Sequence, residues 1–164
     1  MKRTRWKFGS HLSIAGGYYR AVESAMTLGC DCVQIFTKNN NQWRAKPMTA
    51  EESDRFRSVM EQSDLVDAIS HASYLINLAS PKDDLWTKSI EAMEIELRRA
   101  DQLGLSGVVV HPGAFVSSTP EAGIARIAAA LTELQVRYRC WRSWRRFSRR
   151  CGRTCRRRRR RGDP

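Results

Sequence analysis

Along the first 136 positions, apolar residues fall into two alternating kinds of run. Some runs are short and continuous; others are longer, with apolar residues recurring every three or four positions between polar and charged ones. The short runs predict strands and the long ones helices. A first strand is expected over 7–12, then an Ala15-Gly16-Gly17 turn and a helix over 18–28, with Gly29 placed as a C-terminal cap. A second strand covers 32–37. A polar loop, 38–47, leads from it to Thr49 and Glu52, whose spacing is that of a capping box, and a helix follows to about 62. The third strand spans 66–70 and ends at His71. After a loop containing Pro81, Leu85, Ile90, Met93 and Leu97 mark an amphipathic helix over 83–103, with charged residues between the apolar ones. Gly104 and Gly107 bracket its exit. The fourth strand, 107–111, contains Val108-Val109-Val110 and reads as buried on both faces. A helix over 120–134, with Pro120 in its first turn, closes the series.

Strands alternating with helices predict an α/β fold with a parallel sheet, either doubly wound or a (β/α)₈ barrel. No Gly-x-Gly-x-x-Gly follows the first strand, which weakens a dinucleotide-binding reading. Four units make half of a TIM barrel, a fold that typically needs about 250 residues. The pattern leaves both architectures open; read as a barrel, the chain is a partial (β/α)₈ barrel of about four β/α units. A complete barrel would be a monomer, whereas a half barrel leaves an open apolar edge that invites aggregation or dimerisation.

Charge divides the chain at the same place as the pattern. Of the net +12, residues 1–136 contribute −1, from 15 Lys and Arg against 16 Asp and Glu. Residues 137–164 contribute +13, with 14 arginines against Asp163 alone. The basicity is a property of the tail, and the body is nearly neutral. Two regions follow: 1–136, the half barrel, and 137–164, an arginine-rich tail expected to be disordered because unpaired like charges repel. Its abrupt shift to Arg, Trp, Cys, Gly and Ser is what G+C-rich coding DNA yields out of frame, so a frameshift near codons 135–140 is expected. The other two reading frames would show it. A functional tail would instead attach to nucleic-acid phosphates without sequence preference, with Trp141 and Trp144 stacking on bases. The remaining alternative is a truncated product with no function.

Apolar residues make up 41% of the chain, and no run approaches the roughly 20 needed to span a membrane. The basic N-terminus lacks the apolar core of a signal peptide, so a cytoplasmic location is expected. Five cysteines, an odd number, argue against a disulfide framework. Cys151 and Cys155 have the spacing of a zinc-binding pair, but no matching pair follows them.

Only three histidines occur, His11, His71 and His111, and each sits at or just beyond the C-terminal end of a predicted strand. One strand-end histidine is more often structural than a ligand. Three from three different units point to a shared site, because the C-terminal face of a β/α barrel is where functional side chains converge.

Four segments, in order, resemble the endonuclease IV family of abasic-site nucleases. They are Gly9-Ser10-His11-Leu12-Ser13 with Ala15-Gly16-Gly17; Phe36-Thr37-Lys38-Asn39 with Gln42-Trp43; His71-Ala72-Ser73-Tyr74-Leu75-Ile76-Asn77-Leu78-Ala79; and Val110-His111-Pro112-Gly113. Together they cover about residues 8–135. The resemblance implies a DNA-repair hydrolase with three zinc ions, which cleaves the phosphodiester 5′ to an abasic site. Its partner would be abasic or otherwise damaged DNA. His71 and His111 match ligands of one zinc, His11 matches a histidine near the site, and Tyr74 matches a residue at the abasic-nucleotide pocket. Asn39, Asn41, Gln42 and Trp43 match a DNA-contacting loop.

Two departures qualify the resemblance. Asn41 stands where the family usually carries an arginine, so the loop lacks that positive, stacking side chain. Near Phe147, where a fifth strand should deliver a metal-bridging glutamate, the chain reads Trp144-Arg145-Arg146-Phe147-Ser148-Arg149, and no acid lies between Glu133 and Asp163. No catalytic residue is therefore assigned. At most one partial zinc site is expected, with little or no nicking of abasic DNA by the chain as it stands.

Overall fold

The computed structural model describes residues 6–138. The expected disorder of the tail, together with Trp141, Trp144 and its three cysteines, lies outside the described residues. The elements are β1 (Gly9–Leu12), α1 (Tyr18–Thr27), β2 (Cys32–Phe36), α2 (Ala50–Glu61), β3 (Asp67–His71), α3 (Asp83–Leu103) and β4 (Val108–Val109). Residues 120–138 form a further helix, α4.

The strands make one sheet in the order β1-β2-β3-β4, every pair parallel. A doubly wound sheet reverses its strand order part-way across; this one does not. Parallel crossovers are right-handed, so an unreversed order places all the helices on one face. This is the geometry of a β/α barrel cut open. Among the described residues β1 and β4 each lack an outer neighbour.

Local chemistry explains where the helices begin and end. Gly16 and Gly17 take φ of 82° and 126°, which turns the chain off β1 and into α1. Thr49 caps α2: its side chain accepts from the Glu52 N–H at 3.1 Å, and the Glu52 carboxylate accepts from the Thr49 N–H at 2.8 Å. That backbone bond, ahead of all other effects, holds the Glu52 carboxyl below its ordinary range. The Glu52 carboxylate half of the cap therefore contributes in full above the ordinary glutamate pKa and is lost as pH falls through the lowered folded value. Thr49→Ala is expected to cost about 1 kcal/mol of unfolding free energy, read from urea melts. Glu52→Ala should lose the titrating half of the box, and that loss should shrink in melts at strongly acidic pH, where Glu52 of the unmodified chain is protonated in both states. α3 ends at Gly104, which is left-handed at φ 75°.

Alternation along the strands divides the sheet into two faces. Val33, Ile35 and Ala68 point to the helices and pack with Ala21, Val22, Ala25, Phe56, Leu65 and Leu103. A second cluster lies under α3 and α4 and includes Ile76, Leu78, Ile90, Met93, Ala130 and Leu134. The other set of strand residues, Cys32, Gln34, Phe36, Ile69 and His71, lines the opposite face, the inner one in a closed barrel.

Three expectations change. β4 is shorter than 107–111, and Val109 is 42% exposed rather than buried on both faces, because no strand or second layer covers it among the described residues. β1 begins at Gly9, leaving Phe8 72% exposed. α4 runs through 138, so Arg137 belongs to the body: it bonds Glu133 on its own helix and reaches Glu94 on α3 at 3.5 Å. Among the described residues no helix is long and apolar enough to cross a membrane.

Candidate metal and nucleic-acid site

The strand ends bring the three histidines into one row. His11 is the penultimate residue of β1 and His71 the last of β3, while His111 lies just past β4. Ring centroids of His11 and His71 are 6.2 Å apart, and those of His71 and His111 are 5.2 Å apart. Tyr74 joins the row 5.3 Å from His71 and 5.9 Å from His111. Phe36, level with His71 in the ladder, packs beside His11 at 4.4 Å. The structure thus places together the three histidines singled out at the C-terminal strand ends.

His71 is buried, and its Nδ1 lies 2.7 Å from the Ala72 carbonyl. A carbonyl can only accept, so Nδ1 donates in this contact, and Nε2 is the ring nitrogen left to face a ligand. This is how an imidazole is prepared to bind a metal. Desolvation, then the neighbouring His71, lowers the proton affinity of His11, against a weaker opposing bond to Gln34. Both influences favour the neutral ring. Among the described residues no group of three His, Cys, Asp or Glu side chains is close enough to hold a metal ion. Two imidazoles converge; a third donor does not.

A 510 Å³ cleft opens beside the row, lined by His11, Ser13, Phe36, Lys38 and Asn39 through Asn41. Residues 39–42 form a turn closed by Gln42 N–H to Asn39 O, with Asn39 Oδ1 accepting from Asn41 N–H at 2.9 Å. Asn39, Asn41 and Gln42 are exposed, as a contact loop requires. Trp43 is not presented in that way. Its ring packs on the second core cluster with the Lys88 ammonium 4.5 Å from its centroid, so it anchors the loop to the body. Tyr74 is 55% exposed and open to a ligand.

Sequence reasoning missed a buried polar network beneath this surface. Glu96 of α3 is 1% exposed; its carboxylate accepts from Thr37 Oγ at 2.7 Å and from the Ser73 N–H at 3.1 Å, with Lys38 Nζ at 3.5 Å. Lys38 also donates to the Gln42 carbonyl at 2.7 Å, and Ser73 Oγ donates to the Asn40 carbonyl at 2.6 Å. One turn on, Arg99 donates to the carbonyls of Thr37 and Lys46 and to the Tyr18 hydroxyl. Burial, the largest influence, raises the Tyr18 pKa, so the phenol keeps the proton it donates to Thr37 O at 2.9 Å. A signal was present in the sequence: Glu96 and Arg99 fall on the Ala92, Met93, Ala100, Leu103 stripe, where a surface charge would not be placed.

Asn77 was also missed. Its side chain brackets Ala114, accepting from its N–H and donating to its carbonyl, both at 3.0 Å, while also accepting from the Ala79 N–H. It thereby ties the segment after His71 to the segment after His111.

Comparison with known proteins agrees with this geometry. Residues 22–138 match the family model described as xylose isomerase-like TIM barrel. A protein named probable endonuclease 4 from Trichlorobacter lovleyi is 44% identical over 126 residues, covering 77% of this chain and 45% of that protein. The crystal structure of endonuclease IV from Thermus thermophilus superposes with a TM-score of 0.68 at 39% identity, over 79% of this chain and 48% of that one. D-psicose 3-epimerase from Clostridium cellulolyticum superposes with a TM-score of 0.57 at 14% identity, over 79% of this chain and 47% of that one. That level of identity shows a common fold alone. The chain spans less than half the length of the curated relative.

Proposed function

The chain belongs to the xylose isomerase-like TIM barrel family, on its endonuclease IV branch, and from that premise we propose that it is a half-barrel of a zinc-dependent repair nuclease acting on abasic DNA. The observation that carries this reading is the convergence of His71, His111 and Tyr74 within 6 Å at one barrel mouth. In this reading His71 offers its Nε2 lone pair, and His111 a ring nitrogen, to one zinc, and Tyr74 packs against the sugar of the baseless nucleotide. Asn39, Asn41 and Gln42 hydrogen-bond the strand entering the cleft. His11 stays uncharged beside the pair. An abasic position is selected because a missing base lowers the cost of unstacking and bending the duplex there.

A zinc in such a site lowers the pKa of a bound water and neutralises charge on the phosphate oxygens. Catalytic zinc sites take at least three protein donors. The described residues supply two, so they do not complete the site, and no hydrolytic step is assigned to them. Their role is to begin the metal site and to recognise the lesion.

Cobalt(II) titration of the full chain, followed by visible absorption, tests the first part. Weak binding is expected, lost in His71→Ala and in His111→Ala. Affinity unchanged in both variants would reject the assignment. Competition between abasic and intact duplexes of one sequence, at high enough salt to suppress the arginine segment, tests the second. A preference for the abasic duplex should fall in Tyr74→Ala; equal affinity for the two duplexes would remove the functional reading. Turnover within an order of magnitude of a complete relative would overturn the two-donor account.

A further inference from the structure

We propose that Glu96, with its buried partner Lys38, is a positioning pair that sets the ligand-bearing end of β3 and the 38–44 loop as one unit; its functional meaning rests on the reading just given.

The geometry is specific. A single carboxylate contacts the segment after β2 through Thr37 Oγ and the segment after β3 through the Ser73 N–H, using one oxygen for each. Ser73 is two residues beyond His71 and one before Tyr74. Thr37 follows Phe36 directly. Lys38, with 3% of its side chain exposed, turns its ammonium inward to Glu96 Oε1 and the Gln42 carbonyl. It is thus unavailable to a DNA phosphate and instead fixes the turn that carries Asn39 and Asn41. Ser73 Oγ closes the circuit onto Asn40 O. The metal end and the DNA loop therefore cannot shift independently without breaking a bond to a buried charge.

A pair that served stability alone would be expendable as a unit. Replacing both members of a buried ion pair by uncharged residues of similar volume often leaves stability unchanged, whereas removing one strands the other. The two roles separate on this point. In Lys38→Met/Glu96→Leu neither member of the pair is left charged, but the thioether cannot donate to Gln42 O and the leucine accepts from neither Thr37 Oγ nor the Ser73 N–H. In Glu96→Asp the charge stays paired, but a carboxylate one methylene shorter cannot reach both Thr37 and Ser73.

The test is amide hydrogen exchange by mass spectrometry on the full chain, with cobalt and abasic-duplex affinities measured on the same samples. Glu94→Gln serves as the control; that carboxylate pairs with Arg98 and Arg137. In the double variant, exchange over 38–46 and 72–78 is expected to rise about tenfold or more, with α1 and α2 unchanged. Cobalt affinity should weaken by about tenfold or more. Glu96→Asp, which keeps its charge partner and so its folding, should show the same local pattern at about threefold. A rise spread evenly over the chain, or none in those two segments, in either variant overturns the proposal. Should the unmodified chain bind neither cobalt nor abasic duplex, the nuclease reading fails while the exchange pattern still decides whether the pair positions these segments.

Discussion

Arg99→Met is expected to lower the unfolding free energy by about 3–5 kcal/mol, the cost of breaking a buried charged network from one side. Arg99 is 6% exposed, and its guanidinium donates to acceptors on three segments: Thr37 after β2, Lys46 in the following loop and Tyr18 at the start of α1. Methionine fills much of the volume and satisfies none of them. The neighbouring Arg98 forms an i,i+4 pair with Glu94, its side chain 45% exposed, and Arg98→Ala should cost about 0.5 kcal/mol or less. Urea melts of the two variants compare adjacent arginines on one helix. If Arg99→Met costs no more than Arg98→Ala, the network is not a stabilising element.

The second large effect is expected at Gly113. Its φ is 113°, and a Cβ there would lie 2.0 Å from Asn77 Oδ1 and 3.0 Å from Asn77 Cα. Asn77 cannot turn away, because that oxygen holds the N–H groups of both Ala79 and Ala114. Gly113→Ala is therefore expected to cost about 2–4 kcal/mol, from backbone strain and overpacking together. It should also displace His111 and abolish cobalt binding. Gly29→Ala separates the two contributions: φ there is 66°, and nothing lies within 4 Å of the added carbon, so only the left-handed cost of about 1–2 kcal/mol remains. Equal costs at the two positions would mean that Asn77 does not hold the loop after His111.

Much of the site was visible in the residues because short motifs carried it. The segment from His71 to Ala79 supplied a candidate ligand and Tyr74, although the Ser73 bond to Glu96 and the Asn77 bracket within it were not legible. The Thr49 and Glu52 capping box and α3's span were likewise legible, since caps and 3.6-residue periodicity are local. The two charges on the buried stripe of α3 were harder to read. Charged residues between apolar ones usually face solvent, and their partners lie 59 and 62 residues away, at Thr37. Trp43 was hard to place for the same reason. It lies in the segment matched to a DNA-contacting loop, and only the tertiary structure shows its ring packed against Lys88 and the second core cluster.

By itself the sequence determined the alternation of strands and helices, their approximate ends, and the placing of all three histidines at strand termini. These follow from propensity, periodicity and caps, which act over one or two turns of chain. The tertiary structure alone decided that neighbouring rings in the row lie between 4.4 and 6.2 Å apart, that β4 has no outer neighbour among the described residues, and that one glutamate joins two loops. Those outcomes depend on strand register and on which side chains meet across the sheet. A buried charge is tolerated only where distant segments supply its partners, and no local pattern can announce where they will be.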